Sequence, residues 1–169
     1  MKTSRAAPVP QRGVSVSHML LDSSVVVGWA KNQFEEQDAL LLEKLLERGD
    51  LHLGAFARHE LKRMVAQFPT HPRNGAVNIL IEALGRPSPA RVEEAVEHAN
   101  LMLEPLFRHG TPPGVFDLFI GAEADALDEP LATSDAQLAE WLRRFRPEPS
   151  AVWLIAMRSA PGGSSRGPS

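Results

Sequence analysis

Leu20-Leu21-Asp22-Ser23-Ser24-Val25-Val26-Val27 runs an apolar segment straight into an acid, two small hydroxyl residues and a β-branched run. Met19 to Leu21 suffice for a short buried strand, and the residues after them suit the first turn of a helix, with Ser23 or Ser24 as its cap. That helix would continue through Val25-Val26-Val27 to Trp29-Ala30. β-Branched residues are weak helix formers, so burial has to hold it. An acid at such a junction is either an ordinary helix-start residue or part of a site, and Asp22 alone does not distinguish the two.

The same alternation recurs along the chain. From Glu35 to Arg48, Leu41, Leu42, Leu45 and Leu46 repeat between charged residues, and Gly49 follows as a stop, which predicts a helix. Leu51 to Ala55 reads as a second strand and Ala57 to Phe68 as a helix carrying Glu60. Two helices are predicted next, from Ala76 to Leu84, ended by Gly85, and from Ser88 to Phe107. In the longer one Val92, Val96, Ala99, Leu103 and Leu106 form the expected core stripe, Glu93, Glu94 and Glu97 the wet side, and Ser88-Pro89 the cap and first-turn proline. Gly110-Thr111-Pro112-Pro113-Gly114 is a loop, and Val115 to Leu127, apolar nearly all round, is a helix buried on most sides. Pro130 to Thr133 is a minimal strand, Ser134-x-x-Gln137 has the capping-box pattern of a further helix, and Ala151 to Met157 supplies a last strand.

Short strands alternating with helices predict an α/β fold, a three-layer α/β/α sandwich with a short central parallel sheet. The 169 residues allow one domain, placed at 18–158, with an irregular N-terminal extension at 1–17 and a disordered Gly/Ser/Pro tail at 159–169. Apolar residues make up 43% and charged residues 23%, an ordinary globular composition. No apolar run approaches the roughly 20 residues of a membrane helix. Cysteine is absent, which excludes disulfides, thiolate zinc sites and a thiol nucleophile and is compatible with a reducing cytoplasm; no secretory signal is read before Met19. A net charge of -3 gives no whole-chain basic footprint, so any contact with nucleic acid has to be local or assisted by a metal.

In a parallel sheet every strand-to-helix junction opens at one carboxyl edge, where ligands bind. Asp22 follows the first strand, Glu60 lies in the helix after the second, Asp117 opens the buried helix and Asp135 follows the Pro130 to Thr133 strand. Each alone is explained by the helix dipole, which favours acids at N-termini by about 0.3 to 1 kcal/mol. As a set they ask for more. Ser134 would already cap the helix after Asp135, and Asp117 sets a charge among Phe116, Leu118 and Phe119, where desolvation is costly without a partner. Converging carboxylates raise one another's pKa unless a cation neutralises them, and an all-oxygen donor set favours Mg²⁺ or Mn²⁺ over zinc.

These motifs resemble the PIN domain family, in particular the small VapC-like toxin ribonucleases of toxin–antitoxin pairs. The resemblance spans Met19 to Arg146 and rests on Leu21-Asp22-Ser23-Ser24-Val25, on Arg58-His59-Glu60-Leu61, on Phe116-Asp117-Leu118-Phe119-Ile120-Gly121-Ala122 and on Pro130-Leu131-Ala132-Thr133-Ser134-Asp135. It implies that Asp22, Glu60, Asp117 and Asp135 bind Mg²⁺ or Mn²⁺ and carry catalysis, with Ser24 and Thr133 supporting them from behind. It implies an endoribonuclease hydrolysing RNA phosphodiester bonds, a cognate antitoxin as partner, a homodimer, and a cytoplasmic location. Arg58, His59, Lys62 and Arg63 flank Glu60 and could touch phosphate, although a helix's wet face explains them equally. Phe116 and Phe119 are bulkier than the small residues the family carries beside this acid, so a narrower or differently packed mouth is expected.

Three rival readings are weaker. The same fold can be a stand-alone RNA-processing nuclease, or a non-catalytic interaction module with a closed mouth. A receiver- or phosphatase-like domain using Asp22 as phosphoryl acceptor usually needs a late lysine, and no lysine follows Lys62. Ser23 and Ser24 lack a Gly-x-Ser-x-Gly elbow, and the six histidines form no ligand pair.

Overall fold

The computed structural model describes residues 18–86, 90–109 and 114–159. In chain order the elements are β1 (Met19–Leu21), α1 (Ser23–Ala30), α2 (Glu36–Glu47), β2 (Leu51–Leu53), α3 (Ala55–Gln67), α4 (Asn74–Ala83), α5 (Ala90–His109), α6 (Val115–Leu127), β3 (Leu131–Thr133), α7 (Ala136–Phe145) and β4 (Val152–Leu154). The four strands form one parallel sheet in the order β2-β1-β3-β4, with Leu20 opposite His52 on one side and Leu131 on the other. Together with the helices this is the expected three-layer α/β sandwich.

Each strand is three residues long, so what holds the sheet is burial on both faces. Leu20, Leu21, Leu53, Leu131 and Ala132 are completely enclosed. Burying a leucine contributes about 1.5–3 kcal/mol, which offsets the few hydrogen bonds of so short a ladder. Because β1 lies between β2 and β3, the chain leaves the sheet in opposite directions after β1 and after β3. A crevice opens at such a reversal, at the carboxyl ends of those two strands. Asp22 and Asp135 follow those ends.

Several expectations are sharpened or corrected. Gly49 does end α2, with φ 73 and its N–H donating to the Leu46 carbonyl, the left-handed geometry a glycine adopts without a Cβ clash. Gly85 is not simply a helix stop. Leu53 donates to its carbonyl and its own N–H donates to Leu51, so it pairs with the outer edge of β2. The stripe on α5 holds only in part: Ala99 is buried as expected, but Ala95 and Met102 are buried beside it and Val96 is exposed. Small residues face inward there because α5 lies along α6, and close helix approach leaves little room for branched side chains. The last strand is shorter than expected, and Met157 instead bridges antiparallel to Phe34. The 1–17 extension, the Ser88-Pro89 cap, residues 110–113 of the loop, residues 160–169 of the tail and the Leu103 and Leu106 side chains lie outside the described residues. No described helix is long and apolar enough to cross a membrane.

Candidate functional site

Asp22 occupies the N-cap position of α1 with extended backbone (φ -72, ψ 153), yet its carboxylate caps nothing. It is 2% exposed. Ser24 Oγ and Thr133 Oγ1 both donate to its Oδ2, the latter at 2.8 Å, and Ser23 Oγ reaches Oδ1 at 3.3 Å. The expectation that Ser23 or Ser24 caps α1 is therefore corrected: both hydroxyls turn toward acids, because a buried carboxylate left without donors costs more than helix-end amides. Thr133 Oγ1 also accepts from the Asp135 N–H at 3.0 Å, and Ser24 Oγ accepts from the Ser134 N–H at 3.1 Å. The ends of β1 and β3 are thus joined through Ser24 and Thr133, the two residues expected behind the acids.

Glu60 comes from α3, which follows β2, and Ser23 Oγ donates to its Oε2. Asp117 stands in the first turn of α6. Its pKa is raised to about 6, first by burial, then by the charges of Asp22, Asp135 and Glu60, while a hydrogen bond from the Gly114 backbone pulls it down. Asp22, Asp135 and Glu60 are therefore close enough to oppose the ionisation of Asp117, and no described Lys, Arg or His is ion-paired with any of the four.

Asp135 overturns one sequence argument. It, and not Ser134, is the N-cap of α7: its Oδ1 accepts from the Gln137 N–H at 2.8 Å and the Leu138 N–H at 3.2 Å. The Ser134 hydroxyl makes no cap because the Ser134 backbone is already tied to Ser24. Capping occupies one carboxylate oxygen of Asp135 and leaves Oδ2 without a hydrogen bond among the described residues.

The donor chemistry suits a hard divalent cation: four carboxylates, no cysteine, a field that disfavours ionisation. The geometry is looser. Among the described residues no three acidic or histidine side chains form a ready ligand cluster. The edge is an electrostatic site and not a closed cage. A cleft of about 340 Å³ runs from it, lined by Ser23, Ser24, Glu60, Arg63 and Ser134 on the polar side and Val27 and Met64 on the apolar side.

Of the four basic residues expected to touch phosphate, Arg58 is withdrawn. Only 9% exposed, it donates to the carbonyls of Ile81 at 2.7 Å and Leu84 at 3.4 Å, fastening α3 to the end of α4, where no solvent-borne ligand reaches it. Burial, with Arg86 nearby, lowers its pKa. His59, Lys62 and Arg63 remain exposed. Different packing, one of the two alternatives expected at the mouth, is what the rings show: Phe119 stacks on Phe56 at 4.6 Å, and Phe116 lies against His59 and Arg63, so both rings pack onto α3.

Glu123 is the residue that sequence reasoning missed. It lies in α6, is 0% exposed, and accepts the Ala55 N–H at 2.9 Å. A hydrogen bond from the Phe56 backbone also reaches it. Burial still raises its pKa, and Oε2 has no partner. A Cβ on Gly54 would stand 2.2 Å from that oxygen, so a side chain there would push the carboxylate off its place beside the start of α3. Its signal was available: a lone acid between Ala122 and Ala124 in a helix read as buried on most sides.

A parallel sheet with β1 central and acids at its carboxyl edge is the PIN-like fold. Among solved structures the chain is similar to VapBC2 from Rickettsia felis bound to a DNA fragment from its promoter (17% identity, TM-score 0.62, covering 80% of this chain and 97% of that one). It is also similar to VapBC-1 from nontypeable Haemophilus influenzae (20% identity, TM-score 0.58, 75% and 92%) and to DNA-bound VapBC from Salmonella typhimurium (18%, 0.59, 73% and 90%). At such identities the likeness is one of fold. No family model matches the sequence, and no curated protein does.

Proposed function

We propose that this chain is a metal-dependent endoribonuclease of PIN type that hydrolyses RNA phosphodiester bonds, the toxin member of a toxin–antitoxin pair. The observation that carries this reading is the environment of Asp117, whose ionisation is opposed first by burial and then by Asp22, Asp135 and Glu60, with no cationic partner among the described residues. Repulsion of that kind is what a divalent cation relieves. Asp22, Glu60, Asp117 and Asp135 would hold Mg²⁺ or Mn²⁺. Such an ion supplies positive charge beside the phosphate and makes water a better nucleophile. The chain's own residues do the rest. Ser24 and Thr133 fix the orientation of Asp22, Ser23 bridges Asp22 and Glu60, and Asp135 keeps one oxygen outside its cap bonds. The cleft that Glu60 lines would give a strand a path past that acid. A cognate antitoxin and a homodimer are proposed from the likeness to VapBC complexes.

Purified protein given a single-stranded RNA and Mn²⁺ should cleave it, and EDTA should stop cleavage. Asp22→Asn should cut the rate about a hundredfold or more. Thr133→Val should lower activity about 10- to 100-fold through Asp22. Full activity of Asp22→Asn, or cleavage undiminished in EDTA, would overturn the mechanism.

One observation favours a second reading, a non-catalytic module of the same fold: no ready ligand cluster exists among the described residues. Thermal melts separate the two. A working site gains stability with Mn²⁺ concentration, whereas a closed one gives the same midpoint with and without the ion.

A further inference from the structure

His59 and Arg63 are four residues apart on α3 and so project from the same face of that helix. Both meet the ring of Phe116, which comes from the first turn of α6: the His59 ring lies 6.0 Å away at 26° and the Arg63 guanidinium carbon 5.4 Å from the ring centroid. The trio is carried by the same two helices as Glu60 and Asp117, which follow His59 and Phe116 in the chain. Its packing is unlike that of its neighbour. Phe119, one turn along α6, stacks on Phe56 and joins the hydrophobic core, whereas Phe116 is half-buried and stands outside the core cluster, with exposed His59 and Arg63 as its ring contacts. Arg63 also lines the cleft that contains Glu60, so one guanidinium adjoins both the ring and the path toward the acids.

We propose that Phe116, His59 and Arg63 form a stacking platform for an unpaired nucleobase next to the phosphate presented to the acids. The inference rests on the nuclease reading and adds a base subsite to it. An aromatic ring, an imidazole and a guanidinium plane are the surfaces on which splayed bases stack, and every base offers a face to them. Bases inside a duplex are already stacked on each other and present only their edges. A base resting here would leave its phosphate beside the cleft that Glu60 and Arg63 line, where Arg63 supplies positive charge to the backbone.

The test uses the full chain in the Asp22→Asn background, in Mn²⁺, with short single-stranded RNAs carrying 2-aminopurine at successive positions. One position should be quenched on binding. Phe116→Ala should abolish that quench and weaken binding about tenfold or more, the range for losing one base–aromatic stack. Phe116→Trp should retain both, and it reports on the platform should Phe116→Ala melt early. Fully paired RNA of the same sequence should bind much more weakly. In active protein Phe116→Ala should raise KM more than it lowers kcat. Unchanged affinity and quench in Phe116→Ala, loss of both in Phe116→Trp, or equal binding of duplex would overturn the platform while cleavage by the wild type leaves the nuclease reading standing. Absence of any Mn²⁺-dependent RNA cleavage by the wild type would instead overturn the nuclease reading itself.

Discussion

Asp117 and Glu123 stand less than two turns apart on one helix, and burial raises the pKa of both, yet they belong to different kinds of region. Around Asp117 the neighbours are three more carboxylates, and part of the side chain faces solvent. Around Glu123 they are the backbone amides that begin α3, and solvent does not reach it. The first region gathers like charge and leaves it unneutralised by any described base. The second spends its charge on amides that would otherwise be orphaned. What separates the two is thus not the acid or its depth but what surrounds it: further carboxylates around Asp117, backbone amides around Glu123. The same contrast divides two arginines of α3: Arg58 is consumed by carbonyls of α4, and Arg63 stays exposed beside the cleft.

The largest effect should come from breaking the structural tie. Glu123→Ala strips the α3 amides of their acceptor and leaves a void, and it should destabilise the metal-free protein by about 2–4 kcal/mol in a denaturant titration. Loss of the tie should also weaken Mn²⁺ binding, because Ala55 is the start of the helix that carries Glu60.

Asp117→Asn should do the opposite. Removing a charge that three neighbours oppose should raise the metal-free melting temperature by about 2–4 °C at neutral pH, while the Mn²⁺-dependent gain seen in the wild type disappears. A drop in melting temperature would mean that Asp117 contributes packing and not repulsion.

The smallest effect is on pH dependence. The folded-state pKa of Asp117, about 6, lies above its ordinary value of 3.8, so the folded chain holds that proton more tightly than the unfolded one. Its stabilising contribution is therefore complete below pH 3.8 and is lost as pH rises through about 6. Glu123 is shifted in the same direction, so the wild-type curve alone cannot assign the slope. The difference between wild type and Asp117→Asn, followed by thermal melts from pH 4 to 7 in EDTA, should carry the Asp117 part, and saturating Mn²⁺ should flatten it.

Much of this contrast was written locally. The strand ends, the acids after them and the helix frame follow from apolar runs of three residues, from the leucine spacing of α2 and from Gly49, and each depends on neighbours only a few positions away. The sequence also put Asp22 and Asp135 at strand-to-helix junctions, which a parallel sheet leaves on one edge whatever the details, whereas Glu60 lies inside α3 and Asp117 opens α6 after another helix.

What only the tertiary structure decided is which polar group meets which partner. Asp22 finds Thr133 across 111 positions of chain, and Ala55 finds Glu123 across 68. Asp135 became the cap of α7 because Ser134 was already engaged by Ser24, a bond formed only once β1 and β3 lie side by side. Arg58 and Arg63 look alike in sequence, and the docking of α4 separates them. Periodicity fixes which face of an element is apolar, because that preference is a property of the residue. The partner of a hydrogen bond is a property of the assembled fold, since its strength depends on distances of a few ångströms that no local pattern encodes.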